Sequence, residues 1–141
     1  MSLEICVLAS GSAGNAAILR SPAGILLIDA GIGPRTLAKR LDGTGVRPTD
    51  ITALCLTHLD GDHFSARWAS TLRRLGIPIY CHANKVDALA SSSPDLGPLI
   101  QPFNVDAFSP IYGLTCDPIH FAHDQLGSHG FVVEGFGYRI G

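Results

Sequence analysis

The chain predicts an α/β fold, mixed β-sheets with flanking helices, on three observations. Short apolar runs alternate with helix-length amphipathic stretches through the first two-thirds of the 141 residues. One run, Gly24-Ile25-Leu26-Leu27-Ile28, is apolar at nearly every position, as a strand covered on both faces requires. The last third is dominated by strand-like segments joined by turns. The length is that of one domain, long enough to bury about two-thirds of its unfolded surface.

The elements follow in order. Leu3 to Ala9 reads as a first strand, and the small-residue run Ser10-Gly11-Ser12-Ala13-Gly14-Asn15 as a tight loop rich in accessible backbone. Ala16 to Arg20 and Gly24 to Ile28 form a hairpin about Ser21-Pro22-Ala23, and the second strand ends in Asp29. Pro34 opens a helix at the first-turn position proline tolerates; Leu37, Ala38 and Leu41 are its apolar stripe and Gly43 ends it. After a linker through Pro48, Thr52 to Thr57 is a strand. A helix from about Phe64 to Leu75 shows Phe64, Trp68, Leu72 and Leu75 on one face, with Gly76 placed to stop it. Arg67 and Arg74 share another face, read as a solvated flank in preference to a contact with an anionic substrate. Ile77 to Cys81 is a short strand, Asn84 to Ala90 a short helix and Ser91 to Asp95 a loop. Leu99 to Phe103, Gly113 to Phe121, Gly130 to Val133 and Tyr138 to Ile140 are the remaining strands.

Composition narrows the setting. The formal net charge is −2, which does not point to a polyanion-binding or membrane-bound protein in bulk. The N-terminus carries Glu4 where a signal peptide needs basic residues, and no run approaches membrane-spanning length. Cys6, Cys55, Cys81 and Cys116 stand far apart in or beside apolar stretches, so four buried thiols are expected instead of a disulfide framework, and with them a cytoplasmic location.

The most informative stretch is Thr57-His58-Leu59-Asp60-Gly61-Asp62-His63, directly after the apolar run Ile51 to Leu56. Imidazole and carboxylate are the nitrogen and oxygen donors that zinc, manganese or iron accept, and four of them lie within six consecutive positions. A metal loop at the end of a strand is the reading this supports.

The order strand, small-residue loop, apolar strand ending in Asp, then strand ending in HxDxDH resembles the metallo-β-lactamase superfamily of metal-dependent hydrolases, whose usual signature is HxHxDH. Ser10 to Asn15, Leu27-Ile28-Asp29-Ala30-Gly31 and Phe121-Ala122-His123-Asp124 are similar to its bacterial YycJ (WalJ) branch, which acts on phosphodiesters. The resemblance runs from about Leu3 onward and implies the N-terminal part of an αββα metallo-β-lactamase-type sandwich. It implies a first metal held by His58 and His123 with Asp60 in place of the signature's second His, and a second metal held by Asp62 and His63. Asp29 would brace the metal loop without touching the ions. Asp60 offers a harder, anionic donor than imidazole, which shifts preference toward manganese, iron or magnesium without excluding zinc, so one or two divalent ions of open identity are expected. The sequence stops at Tyr138-Arg139-Ile140-Gly141, before the places where the family puts a bridging Asp and its last ligand His. Residues 1–141 are therefore expected to be one metallo-β-lactamase-like domain incomplete at its C-terminus.

The resemblance and the ion chemistry together imply hydrolysis by a hydroxide generated on the metal, with Asp62 orienting the water or taking its proton. A phosphodiester, with nucleic acid preferred, is the implied substrate. A lactone or thioester hydrolase, and an inactive fragment, are the rival readings. Ser10, Gly11, Ser12 and Asn15 either contact a substrate phosphate or simply make a tight turn. His120 and His123 are placed on opposite faces of a strand and so do not share an ion. His82 is assigned a surface or capping role, and His129 is left without one. The strands Gly130 to Val133 and Tyr138 to Ile140 are expected to leave an open edge that invites self-association.

Overall fold

The computed structural model describes residues 2–122 and 127–141; His123, and with it the expected His-Asp pair, lies outside them. Ten strands are seen among the described residues. The first sheet contains β1 (Glu4–Ala9), β2 (Ala16–Ser21), β3 (Gly24–Ile28), β4 (Ile51–Cys55), β5 (Ile79–His82) and β6 (Ile100–Phe103), in that spatial order. β1, β2 and β3 pair antiparallel, and β3 through β6 pair parallel. The second sheet contains β7 (Phe108–Ile111), β8 (Leu114–Phe121), β9 (Ser128–Gly135) and β10 (Tyr138–Ile140), ordered β10-β9-β8-β7 and antiparallel throughout. The helices are α1 (Pro34–Arg40), α2 (Ala69–Leu75) and α3 (Val86–Ser92).

Strand periodicity sorts the core into two layers. Ile25 and Leu27 of β3, Leu54 of β4, and Ile79 and Cys81 of β5 pack with Leu37, Trp68, Leu72 and Leu89 from the helical side. The alternate residues Leu26, Ala53 and Cys55 pack with Ile111, Leu114, Cys116 and Val133 of the second sheet. The first sheet is thus covered on both faces, which explains why β3 reads as continuously apolar. Trp68 is fully buried and its indole Nε1–H donates to the Ile32 carbonyl at 2.6 Å, tying the start of α2 to the segment after β3.

Several expectations are corrected. The helix expected from Phe64 begins instead with a 3₁₀ turn at Ala66–Trp68 and becomes α-helical at Ala69. Phe64 is held out of it by a parallel bridge to Ala30, with Ser65 N–H donating to the Ala30 carbonyl at 2.8 Å. Ser91 and Ser92 belong to α3, and the segment after them is a 3₁₀ helix, Pro94–Leu99. β7 was not foreseen. β9 is longer than expected and lies inside its sheet between β8 and β10, so Gly130 to Val133 is not an edge; β10 and β7 are the edges. Cys6 is only half-buried, whereas Cys55, Cys81 and Cys116 are buried, and all four thiols are free. Among the described residues no helix is long and apolar enough to cross a membrane.

Candidate metal centre

The C-terminal ends of β3 and β4 deliver the site, the position where open α/β sheets gather ligands. Asp29 follows β3 with a positive φ of 60°, a left-handed conformation that Asp tolerates better than most residues. Its backbone N–H donates to the Cys55 carbonyl at 2.9 Å, and its side chain is 7 % exposed. From there the carboxylate takes three contacts. Thr57 donates its N–H to Oδ1 at 2.8 Å and its hydroxyl to Oδ2 at 2.7 Å, and His63 Nδ1 lies 2.6 Å from Oδ2. The start and the end of the metal loop therefore hang on one buried carboxylate.

This arrangement sets the protonation of His63. A carboxylate only accepts, so Nδ1 carries the hydrogen and the lone pair of the neutral ring is on Nε2, which faces the side-chain amide of Asn15 at 3.2 Å and is the nitrogen a bound ion would take over from it. The Asp29 hydrogen bond raises the His63 pKa above the ordinary 6.5 against the opposing effect of burial, and the charges of Asp29, Asp62 and Asp60 act in the same upward direction. The Asp62 Oδ2 is 3.6 Å from His63 Nε2. On the other side of the loop His58, with its side chain 8 % exposed, lies with its ring centroid 3.7 Å from that of His63. Its Nδ1 is 3.3 Å from the Asp60 backbone N and 3.6 Å from the Asp60 carboxylate.

Close backbone packing holds the loop against its neighbours. Ala30 N–H donates to the His63 carbonyl, Asn15 N–H to the Asp62 carbonyl, both at 2.7 Å, and Gly31 N–H to the Asn15 carbonyl at 2.9 Å. A Cβ on Gly31 would collide with the Asp62 carbonyl, so only glycine permits this approach. Asn15, in the loop read either as a substrate contact or as a tight turn, uses its side-chain Nδ2 to donate to the carbonyls of Gly11 at 2.9 Å and Asp62 at 3.0 Å. It joins the small-residue loop to the metal loop. Ser10, Gly11 and Ser12 are exposed beside it.

Among the described residues, no three of these donors gather about one point; they stand as two pairs, His58 with Asp60 and His63 with Asp62. The donor chemistry fits a divalent cation nonetheless. Each pair sets one imidazole beside one carboxylate, and a carboxylate on Nδ1 is how protein frameworks orient a metal-binding histidine.

A second group of side chains lies beside this loop and had no counterpart in the sequence reading as a group. His129 N–H donates to the Thr57 carbonyl at 2.9 Å, joining β9 to the metal loop. Its ring is 3 % exposed, stacks on His82 at 4.4 Å, and has Nδ1 3.3 Å from the Nζ of Lys85, which is 1 % exposed. Ammonium only donates, so Nδ1 accepts and Nε2–H points toward His120 Nδ1 at 3.4 Å. Burial, reinforced by Lys85 and the neighbouring histidines, pushes the His129 pKa down to about 4. His82 has the expected capping role, its Nδ1 accepting from Asn84 N–H at 3.1 Å.

The family model for the metallo-beta-lactamase superfamily matches residues 9–139. The chain belongs to the metallo-beta-lactamase superfamily. Exodeoxyribonuclease WalJ of Streptococcus pneumoniae serotype 2 (strain D39 / NCTC 7466) is 30 % identical over 92 residues, covering 65 % of this chain and 34 % of WalJ. WalJ of strain ATCC BAA-255 / R6 matches equally. The chain thus spans about a third of the length of these curated relatives. In structure, the metallo-beta-lactamase fold protein YhfI from Bacillus subtilis superposes with a TM-score of 0.71 at 15 % identity, over 97 % of this chain and 61 % of YhfI. A diphosphatase of the PhnP family superposes with a TM-score of 0.67 at 17 % identity, over 91 % of this chain and 54 % of its own. The α/β architecture with mixed sheets is that of the superfamily.

Proposed function

We propose that the full-length protein is a metal-dependent hydrolase of phosphodiester bonds in nucleic acid, working at the loop between Thr57 and His63. The observation that carries this reading is the Asp29–His63 pair, which fixes the imidazole with Nε2 turned to the Asp62 carboxylate and the Asn15 amide. His58, Asp60, Asp62, His63 and His123 are the residues assigned to hold one or two divalent ions, with manganese or iron favoured by Asp60 and zinc also accepted. Such an ion, when bound, lowers the pKa of water toward neutrality and draws charge from the oxygen that gains it. Asp29 and Thr57 fix the orientation of His63. Asp62, part-exposed at the rim, takes the proton of the attacking water at its carboxylate. Ser10 and Ser12 present hydroxyls and backbone N–H groups for a substrate phosphate, while Asn15 holds the loop that carries them, its Oδ1 accepting the Gly11 N–H at 3.1 Å. The relationship to an exodeoxyribonuclease supports nucleic acid over a carbonyl substrate. Free thiols, three of them buried, support a reducing, cytoplasmic setting.

The test is hydrolysis of a model phosphodiester and of an oligodeoxynucleotide by the full-length protein before and after chelation. Activity lost on chelation, restored by manganese or zinc and abolished in Asp62→Ala is the expected result. Full activity after chelation would contradict the proposal, and lactone or thioester hydrolysis without phosphodiesterase activity would transfer the site to carbonyl chemistry.

A further inference from the structure

The small-residue loop has two sides. Asn15 faces the metal loop, while Ser10, Ala13 and Gly14 line a cavity of about 310 Å³ whose opposite wall includes Thr36, Arg40 and Arg67. A second cavity of about 250 Å³ is lined by Arg35, Arg67, Ser70 and Thr71, and the two share Gly33, Thr36 and Arg67. Together they make a groove that leads from the loop beside the metal centre to the exposed flanks of α1 and α2.

Its chemistry is one-sided. Acidic residues outnumber Lys and Arg in the chain, 12 to 10, yet among the described residues three arginines and no carboxylate line this groove. Hydroxyls of Ser10, Thr36, Ser70 and Thr71 fill the spaces between them. The two inner arginines are tethered to the framework. Arg40 Nη1 donates to the Leu8 carbonyl at 2.7 Å, which leaves most of a five-donor guanidinium available to an anion. Arg67 Nε lies 3.4 Å from Ser65 Oγ, on the segment that pairs with Ala30, whose own N–H reaches the His63 carbonyl. Arginine forks among hydroxyls, without carboxylates, match the oxygens of phosphate.

We propose that this groove is the track for a nucleic-acid strand, with Arg67 and Arg40 contacting backbone phosphates beyond the one placed at the metal loop. The inference rests on the phosphodiesterase reading for the identity of the strand. Two joined cavities with arginines along their length suit successive phosphates better than one small diester. Arg67, in the 3₁₀ turn before α2, is the pivot because it borders both cavities, whereas Arg74, exposed on α2 itself, borders neither.

Binding of a fluorescent single-stranded 12-mer to the full-length protein, followed by anisotropy across a salt series, tests this without requiring turnover. Arg67→Ala should weaken binding about tenfold and reduce the slope of log K against log salt by about 0.7, one phosphate contact on a single strand. Arg35→Ala should give a smaller loss, and Arg74→Ala should leave affinity and slope within about twofold of the parent. Equal affinity and slope in the parent and Arg67→Ala, or equal losses in Arg67→Ala and Arg74→Ala, would overturn the groove. If the oligonucleotide binds with this arginine dependence but no diester is hydrolysed, the phosphodiesterase reading fails and the groove stands. Hydrolysis of oligonucleotide with no dependence on Arg67 sinks the groove alone.

Discussion

The carboxylate of Asp29 lies 2.6 Å from the Nδ1 of His63 while also accepting both the N–H and the hydroxyl of Thr57. One residue at the end of β3 thereby fixes the first residue of the metal loop, its last residue and the tautomer of a candidate ligand. Asp29→Asn removes the full charge and presents an amide that cannot accept at every contact. We expect metal affinity to fall roughly 10- to 100-fold and stability to fall by about 1–3 kcal/mol, read by metal titration and urea unfolding. In metal-free protein, nuclear magnetic resonance titration should show the His63 pKa moving down toward the ordinary value. Because the folded pKa is raised, the pair's contribution is complete below about 6.5 and is lost as pH rises through the folded value.

His129 predicts the opposite pH response. Its folded pKa is depressed to about 4 from 6.5, so between these values the unfolded chain binds a proton that the folded chain does not. Stability should therefore decline as pH falls from 6.5 to 4 and the His129 contribution should level off below that. Urea unfolding of chelator-treated protein across this range measures the slope, and His129→Asn should flatten it relative to the parent. Equal slopes would show that another group controls acid sensitivity.

Gly31→Ala places a methyl where the Asp62 carbonyl now sits. The metal loop must move away from the segment after β3, breaking the Asn15–Asp62 and Gly31–Asn15 backbone bonds. We expect a cost of about 1–3 kcal/mol from overpacking together with loss of metal binding, measured by unfolding and calorimetric titration. Unchanged metal affinity would mean that the loop's position is not set by this contact.

Trp68→Phe keeps most of the buried ring but deletes the indole donor to the Ile32 carbonyl. A buried carbonyl without its partner costs about 1–3 kcal/mol, and the loss should appear in the urea midpoint with metal content unchanged.

Much of this architecture was legible because it depends on local pattern. The continuous apolar run of β3, the stripes Leu37 and Leu41 of α1 and Trp68 and Leu72 about α2, and the HxDxDH loop each announce an element or a donor set within a few positions. The less legible parts are those decided by partners distant in sequence. Phe64 carries helical spacing but is claimed by Ala30, and so the helix starts later. β7 contains Ser109 and Pro110, which argue against a strand; as an edge, it needs no inner ladder donor from Pro110, and Ser109 Oγ satisfies the Ile111 carbonyl at 2.9 Å. His82, His120 and His129 come from three strands, and nothing near any of them in sequence signals that they meet, with Lys85, around His129. Asn15 could be read as part of a substrate loop, but not as the residue that locks that loop to Asp62.

The central claim is that the loop from His58 to His63 holds a catalytic divalent cation, and metal content tests it most directly. The purified full-length protein should contain manganese, iron or zinc, removable by chelation and rebound on calorimetric titration, with binding lost in His58→Ala and in Asp62→Ala while circular dichroism shows the fold retained. Stoichiometric metal unaffected by both substitutions would contradict the assignment of the site.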